Sequence, residues 1–179
     1  MADEQKEPWV NQMALATVIL AVCATFSTFK SGGYSSQALI SQAMASDQWS
    51  FYQAKSLKQH LHETTLDQLR LQAVSWAPGS PSADAYNKSI AKYEEQATRY
   101  EGEKKDIQKK AEALEVQRDE LKRHGKPFGI AIIFLQVAIL LNSIAGLLKK
   151  KPVWWLAIPV GLVGLACFAD GFFSFLPFL

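Results

Sequence analysis

From Ala83 to Arg123 apolar residues recur in steps of four and three. Tyr86, Ile90, Tyr93, Ala97, Tyr100, Ile107, Ala111, Leu114 and Leu121 fill the series, and only Lys104 and Arg118 break it. The residues between are mostly Glu, Lys, Gln, Arg and Asp, which favour helix. A seam of this period is buried only against a partner helix. The stretch is therefore predicted to be one arm of a coiled-coil hairpin.

The other arm precedes it. Lys30-Ser31-Gly32-Gly33 reads as the end of a first helix, because glycine pairs sit where helices bend or stop. A second helix is predicted from about Tyr34 to Ser75, with no Gly or Pro inside. Trp76-Ala77-Pro78-Gly79-Ser80-Pro81-Ser82 is a turn by composition, and Ser80 before Pro81 suits the cap of the next helix. The two arms are then nearly equal, about 42 residues or roughly 63 Å each. Equal arms about a tight turn predict an antiparallel hairpin whose ends return together. Folding about Gly79 places Trp49 opposite Ile107 to Ala111, Tyr52 near Asp106 and Ser56 opposite Gly102. A close approach by the facing helix would explain Gly102. His124-Gly125-Lys126-Pro127 reads as a second break.

Three apolar runs flank this polar block: Trp9–Phe29, Phe128–Leu148 and Val153–Leu179. Each reaches the roughly 20 residues needed to cross a bilayer core. The predicted class is all-α, with three transmembrane helices and the hairpin inserted between the first and second. The expected layout is a polar tail at 1–8, spans at 9–30, 127–148 and 153–179, a hairpin domain at 31–126 and a basic link at 149–152. The leader MADEQKEP is acidic, unlike the positive start of a signal peptide, so the first run is read as a retained span. Ala14, Thr17, Ala21, Ala24 and Thr28 recur at helical spacing in that span, and Gly161, Gly164 and Gly171 mark the third. Small residues let helices approach closely in lipid.

Charge changes the picture little. The chain of 179 residues has 19 Lys and Arg against 17 Asp and Glu, and the block 31–126 has 14 against 13. This balance leaves no nucleic-acid footprint. Cys23 and Cys167 both lie inside spans, so a disulfide framework is not expected. The tri-lysine link Lys149–Lys151 is the shortest loop, and short positive loops mark the cytoplasm. The amino terminus is thus expected inside and the hairpin outside an inner membrane, in the periplasm. Lys30, Lys122, Arg123 and Lys126 on the hairpin side pull the other way.

The densest polar constellation is Asp47 to Lys58. On a helix Trp49, Tyr52, Gln53, Ser56 and His60 share a face. With Tyr93, Tyr100 and Ile107 of the other arm they form the candidate interaction face. Its bland reading is a seam with buried hydrogen bonds, since polar seam residues fix register and oligomer state. Asp47-x-Trp49-x-x-Tyr52-Gln53-Ala54-Lys55-Ser56 also resembles the signature of a bacterial membrane family, domain-of-unknown-function family 4337. One span, a helical insert and two further spans are similar in layout, and Leu135–Ile139 and Gly161–Gly164 fit too. The resemblance implies no activity, cofactor or catalytic residue. Basic flanks in that family support the periplasmic hairpin, and the acidic tail here departs from it.

Polar residues inside spans mark function by default. Gln136, Asn142 and Asp170 are these candidates. Asp170 is expected near the hairpin-side interface, at the depth of Lys30, Arg123 and Lys126, as part of an anchoring ion pair. His60 and His62 lie on nearly opposite helix faces, which argues against a metal site, and no phosphate loop or nucleophile elbow occurs. No cofactor and no enzyme activity are expected. The second helix offers surplus apolar residues: Ile40, Met44, Phe51, Leu57, Leu61, Leu66, Leu69 and Leu71. The reading is a homo-oligomeric membrane scaffold that meets its own copies, the bilayer, and in some settings another membrane protein. A pore or transport oligomer, or an accessory subunit of a larger complex, is the alternative.

Overall fold

The computed structural model describes residues 8–76 and 80–173. Most of the predicted polar tail, the centre of the predicted turn and the last part of the third span lie outside the described residues. The described residues form three helices and no strand: α1 (Pro8–Ala73), α2 (Pro81–Leu148) and α3 (Lys151–Phe173). Each contains a stretch long and apolar enough to cross a membrane, and at most 28% of each such stretch is buried. Leu15, Val18, Phe26, Ile133, Leu140 and Leu162 instead point outward. An exposed apolar surface of this extent is foreign to a water-soluble monomer and compatible with a multi-pass membrane protein.

The expected breaks at Gly32-Gly33 and at Gly125-Pro127 do not occur. α1 and α2 run through both. Each glycine costs about 1 kcal/mol against Ala, and an interior proline removes one helix bond at about 3 kcal/mol. Packing on either side offsets these costs. A Cβ at Gly125 would lie 3.0 Å from Tyr34 Cβ, so the missing side chain lets Tyr34 in. Tyr34 stacks on His124 and Phe128, and Phe128, 1% exposed, packs edge-on against Phe168 and Phe172.

The chain divides into two compact units, Met1–Leu39 with Arg118–Leu179, and Ile40–Gln117. In the first, the core is Leu20, Ala24, Ala131, Leu135, Ala138 and Cys167, with a second cluster of Trp9, Met13 and Ala145. Trp9 meets Trp154 at 6.0 Å between ring centres. The glycines of α3 do the close packing predicted for them: an added Cβ would lie 3.5 Å from Ala138 at Gly161, 2.9 Å from Leu135 at Gly164 and 2.7 Å from Phe128 at Gly171. The small-residue stripe of α1 is corrected by one position. Ala24 is buried and Thr17 half-buried, but Ala14, Ala21 and Thr28 face out, and the inward row is Met13, Leu20, Ala24 and Ser27. α2 ends at Leu148, and the next residue, Lys149, has a φ of 53°. There the Lys150 N–H returns to the Ala145 carbonyl at 3.2 Å, the six-to-one bond of a left-handed helix end.

The second unit pairs α1 with α2. Trp49 meets Glu115, Lys55 meets Glu103, Arg70 meets Glu94 and Trp76 meets Tyr86. Partner numbers fall on α2 as they rise on α1. Within Ile40–Gln117 the predicted four-three series of α2, Lys104 included, is the less exposed row: Ala111 is buried and the others half-buried. α2 starts as its sequence dictates. Ser80 Oγ accepts from the Ala83 N–H at 3.2 Å, and Pro81 occupies the first turn, where its missing donor costs nothing. The expected close approach at Gly102 is overturned: the residue is exposed, and an added Cβ meets nothing within 4 Å.

Candidate functional site

The candidate interaction face lies in the second unit, and its centre is polar. Lys104 Nζ donates to Ser56 Oγ at 3.2 Å and to Gln59 Oε1 at 3.1 Å, and stands 5.1 Å from the Tyr52 ring centre. The reciprocal arrangement sits beside it. Lys55 Nζ lies 5.0 Å from the Tyr100 ring centre and pairs with Glu103, which also accepts from Arg99 Nε at 2.7 Å. Each helix therefore lends a lysine to a tyrosine of the other. Half-buried cation–ring contacts are worth about 0.5–1 kcal/mol or more. The two donors into the Glu103 carboxylate, Lys55 first and then Arg99, hold its pKa below the usual carboxylate range.

Trp49, Tyr52, Ser56, Tyr93, Tyr100 and Ile107 are all half-buried there. Gln53 and His60 lie beside the row that meets α2. Both are exposed, and His60 turns to Glu63 of its own helix at 3.1 Å. The covered row runs Ala45, Tyr52, Gln59, Leu66 in sevens, and Gln53 and His60 each stand one position past it. His62 is the residue that pattern reading missed. Its ring lies 5.3 Å from both Tyr93 and Tyr100. The signal was its place seven residues after Lys55, on the row that alternates with Tyr52 and Gln59.

In the first unit the three polar candidates of the apolar stretches, Gln136, Asn142 and Asp170, lie apart in environment. Gln136 is exposed on the outer face of α2. Asn142 is 3% exposed, and its Oδ1 has no hydrogen-bond partner among the described residues. It borders a cavity of about 210 Å³ lined also by Ile19, Leu20, Trp154, Gly161 and Leu165. Asp170 is 2% exposed, on the inward row of α3 with Gly161, Gly164 and Cys167. Asp170 and the cations Lys30, Arg123 and Lys126, expected to pair with it, differ in exposure. Those cations are exposed, whereas Asp170 faces the core, and Lys30 Nζ lies 5.8 Å from the Phe172 ring centre. Among the described residues no three His, Cys, Asp or Glu side chains converge as a metal ion would need.

A family model described as Domain of unknown function (DUF4337) matches residues 9–174. The chain belongs to that family. No curated protein and no solved structure matches it. The DUF4337 match takes in all three helices, so the paired segment and the apolar stretches belong to one family unit. The Asp47–Ser56 motif that carried the resemblance supplies Trp49, Tyr52, Lys55 and Ser56 to the polar centre, which gives the motif a physical role: it pins one helix to the other at a fixed register.

Proposed function

We propose that this DUF4337 protein is a homo-oligomeric scaffold of the bacterial inner membrane. In this reading the second unit is an antiparallel coiled-coil hairpin that meets its own kind, and the first unit supplies three membrane spans. The observation that carries it is a second apolar row on α1. Ile40, Met44, Phe51, Leu57 and Leu61 are all at least 51% exposed, while the seam against α2 uses other residues. Ile40, Met44, Asp47, Phe51, Ala54, Lys58 and Leu61 follow the four-three spacing of a coiled-coil seam. Five of these seven are apolar, Asp47 and Lys58 interrupt them, and Leu57 flanks the row; an exposed apolar row outside the helix pair calls for a cover.

The spans support the same reading. Ile133, Gln136, Leu140, Ser143 and Leu147 also follow the four-three spacing, and all five face outward. Gln136 has no hydrogen bond among the described residues, and polar side chains act as glue between helices in lipid. Copies in one membrane share an orientation, so a symmetric contact brings Gln136 to the depth of its counterpart. Two carboxamides satisfy each other there without charge. The tri-lysine link supports an amino terminus in the cytoplasm and a hairpin in the periplasm.

Subunit counting by light scattering in lipid nanodiscs tests the proposal. The wild-type chain is expected as one defined oligomer, and M44E/F51E as smaller species. A monomer at every concentration overturns it, and a complex with a different protein makes the chain an accessory subunit. Protease cleavage at Pro78–Pro81 in spheroplasts tests sidedness. The pore reading draws on Gln136 alone, because Asn142 and Asp170 are buried; ion currents in planar bilayers would favour it.

A further inference from the structure

A groove between α1 and α2 in the first unit has a chemistry that the scaffold reading does not use. It has a volume of about 470 Å³ and is lined chiefly by Ser31, Ser35, Lys122, Lys126, Ile130 and Ile133. Its polar groups come in matched four-residue steps. Ser31 and Ser35 stand one turn apart on α1, and Lys122 and Lys126 one turn apart on α2. Gly125 and Gly129, also one turn apart, line it without side chains.

The hydroxyls and ammonium groups are available. Thr17, Thr25, Ser27 and Thr28 all donate to the carbonyl four residues back. Ser31 and Ser35 make no such bond, nor any other among the described residues. Lys122 and Lys126 are exposed and form no ion pair among the described residues. The surroundings contain little to neutralise them. No Asp or Glu occurs from Pro8 to Ser46 or from Leu121 to Leu148. Asp119, the carboxylate one turn before Lys122, is held chiefly by Arg118 at 2.8 Å and attracts Lys122 more weakly. Four donor-bearing side chains therefore face an acid-free groove.

We infer that this groove binds the phosphodiester headgroup of an anionic phospholipid, with Lys122, Lys126, Ser31 and Ser35 around the phosphate. The apolar end selects a lipid over a free anion. Ile130 and Ile133 continue the groove one to two turns into the apolar stretch of α2, where an acyl chain would lie. A basic pocket between membrane helices at the interface is suited to anionic headgroups.

The test uses the full chain in dodecyl maltoside and native mass spectrometry with added phosphatidylglycerol. The wild type is expected to retain this lipid over phosphatidylcholine. K122Q/K126Q is expected to lower retention about tenfold, and K149Q/K150Q/K151Q at the link to leave it unchanged. S31A/S35A keeps both charges and is expected to lose about threefold, through the hydroxyl donors alone; it carries the test if the lysine variant does not fold. Equal loss in the link variant, or equal retention of phosphatidylcholine, overturns the site. Equal binding of deacylated glycerophosphoglycerol or inorganic phosphate overturns the lipid assignment.

Discussion

The indole N–H of Trp49 donates to Glu115 Oε1 at 2.9 Å, joining residues 66 apart in sequence. Trp49 also meets the Tyr52 ring edge-on at 5.5 Å. The indole is thus fixed by a hydrogen bond from its tip and an aromatic contact on its flank. Trp49→Phe keeps much of the apolar contact and removes the donor. It is expected to destabilise the paired segment by about 1–2 kcal/mol, read as a lower denaturant midpoint in far-ultraviolet circular dichroism. Glu115→Gln, which keeps an acceptor, should lose less.

Gly102 predicts the opposite sign. It stands in an exposed helix interior with open space where a Cβ would go. Gly102→Ala should therefore stabilise by about 0.5–1 kcal/mol through the backbone alone. A destabilised variant in the same unfolding assay would mean that something covers this face.

Acid should loosen the polar centre. Glu103 has a folded-state pKa held below its ordinary value by Lys55 and Arg99. Its contribution is complete above the ordinary carboxylate pKa and is lost as pH falls through the depressed one. Glu101 behaves alike through Lys105. Thermal midpoints are expected to fall on acidification, with a shallower fall in Glu103→Gln. An unchanged profile in that variant would remove Glu103 from the account.

Two glycines of α3 give a matched pair. A Cβ at Gly164 would meet Leu135 Cγ at 2.9 Å and the Leu135 backbone nitrogen at 3.0 Å, whereas at Gly161 the nearest atoms lie at 3.5 Å. Gly164→Ala should cost about 1–3 kcal/mol by overpacking. Gly161→Ala should be near neutral. Melting of the two variants in detergent separates them.

What was legible in the sequence was periodicity. Tyr86 to Ala111 were read as one row and form one row, because a seam of that length imposes its own phase. That three stretches are long and apolar enough to cross a membrane was legible from composition alone. The breaks at Gly32-Gly33 and Pro127 were misread because local propensity was weighed without the aromatic packing of Tyr34 and Phe128. Gln53 lies beside the row that meets α2, because i, i+4 neighbours of Trp49 include residues on both sides of a narrow seam. His62 was weighed only with His60 against a metal site, and the tyrosines that enclose it lie thirty-one and thirty-eight residues downstream. The burial of Asp170 was not legible either, because the direction it takes around α3 depends on where α1 and α2 pack.

Lys149 holds a left-handed backbone angle that glycine would adopt without penalty. A lysine there adds a cation just past the negative end of α2's dipole and makes a run of three with Lys150 and Lys151. Lys149→Gly would ease the bend and thin out the charge. The corner therefore holds three adjacent cations at the cost of a backbone angle that glycine would take more easily.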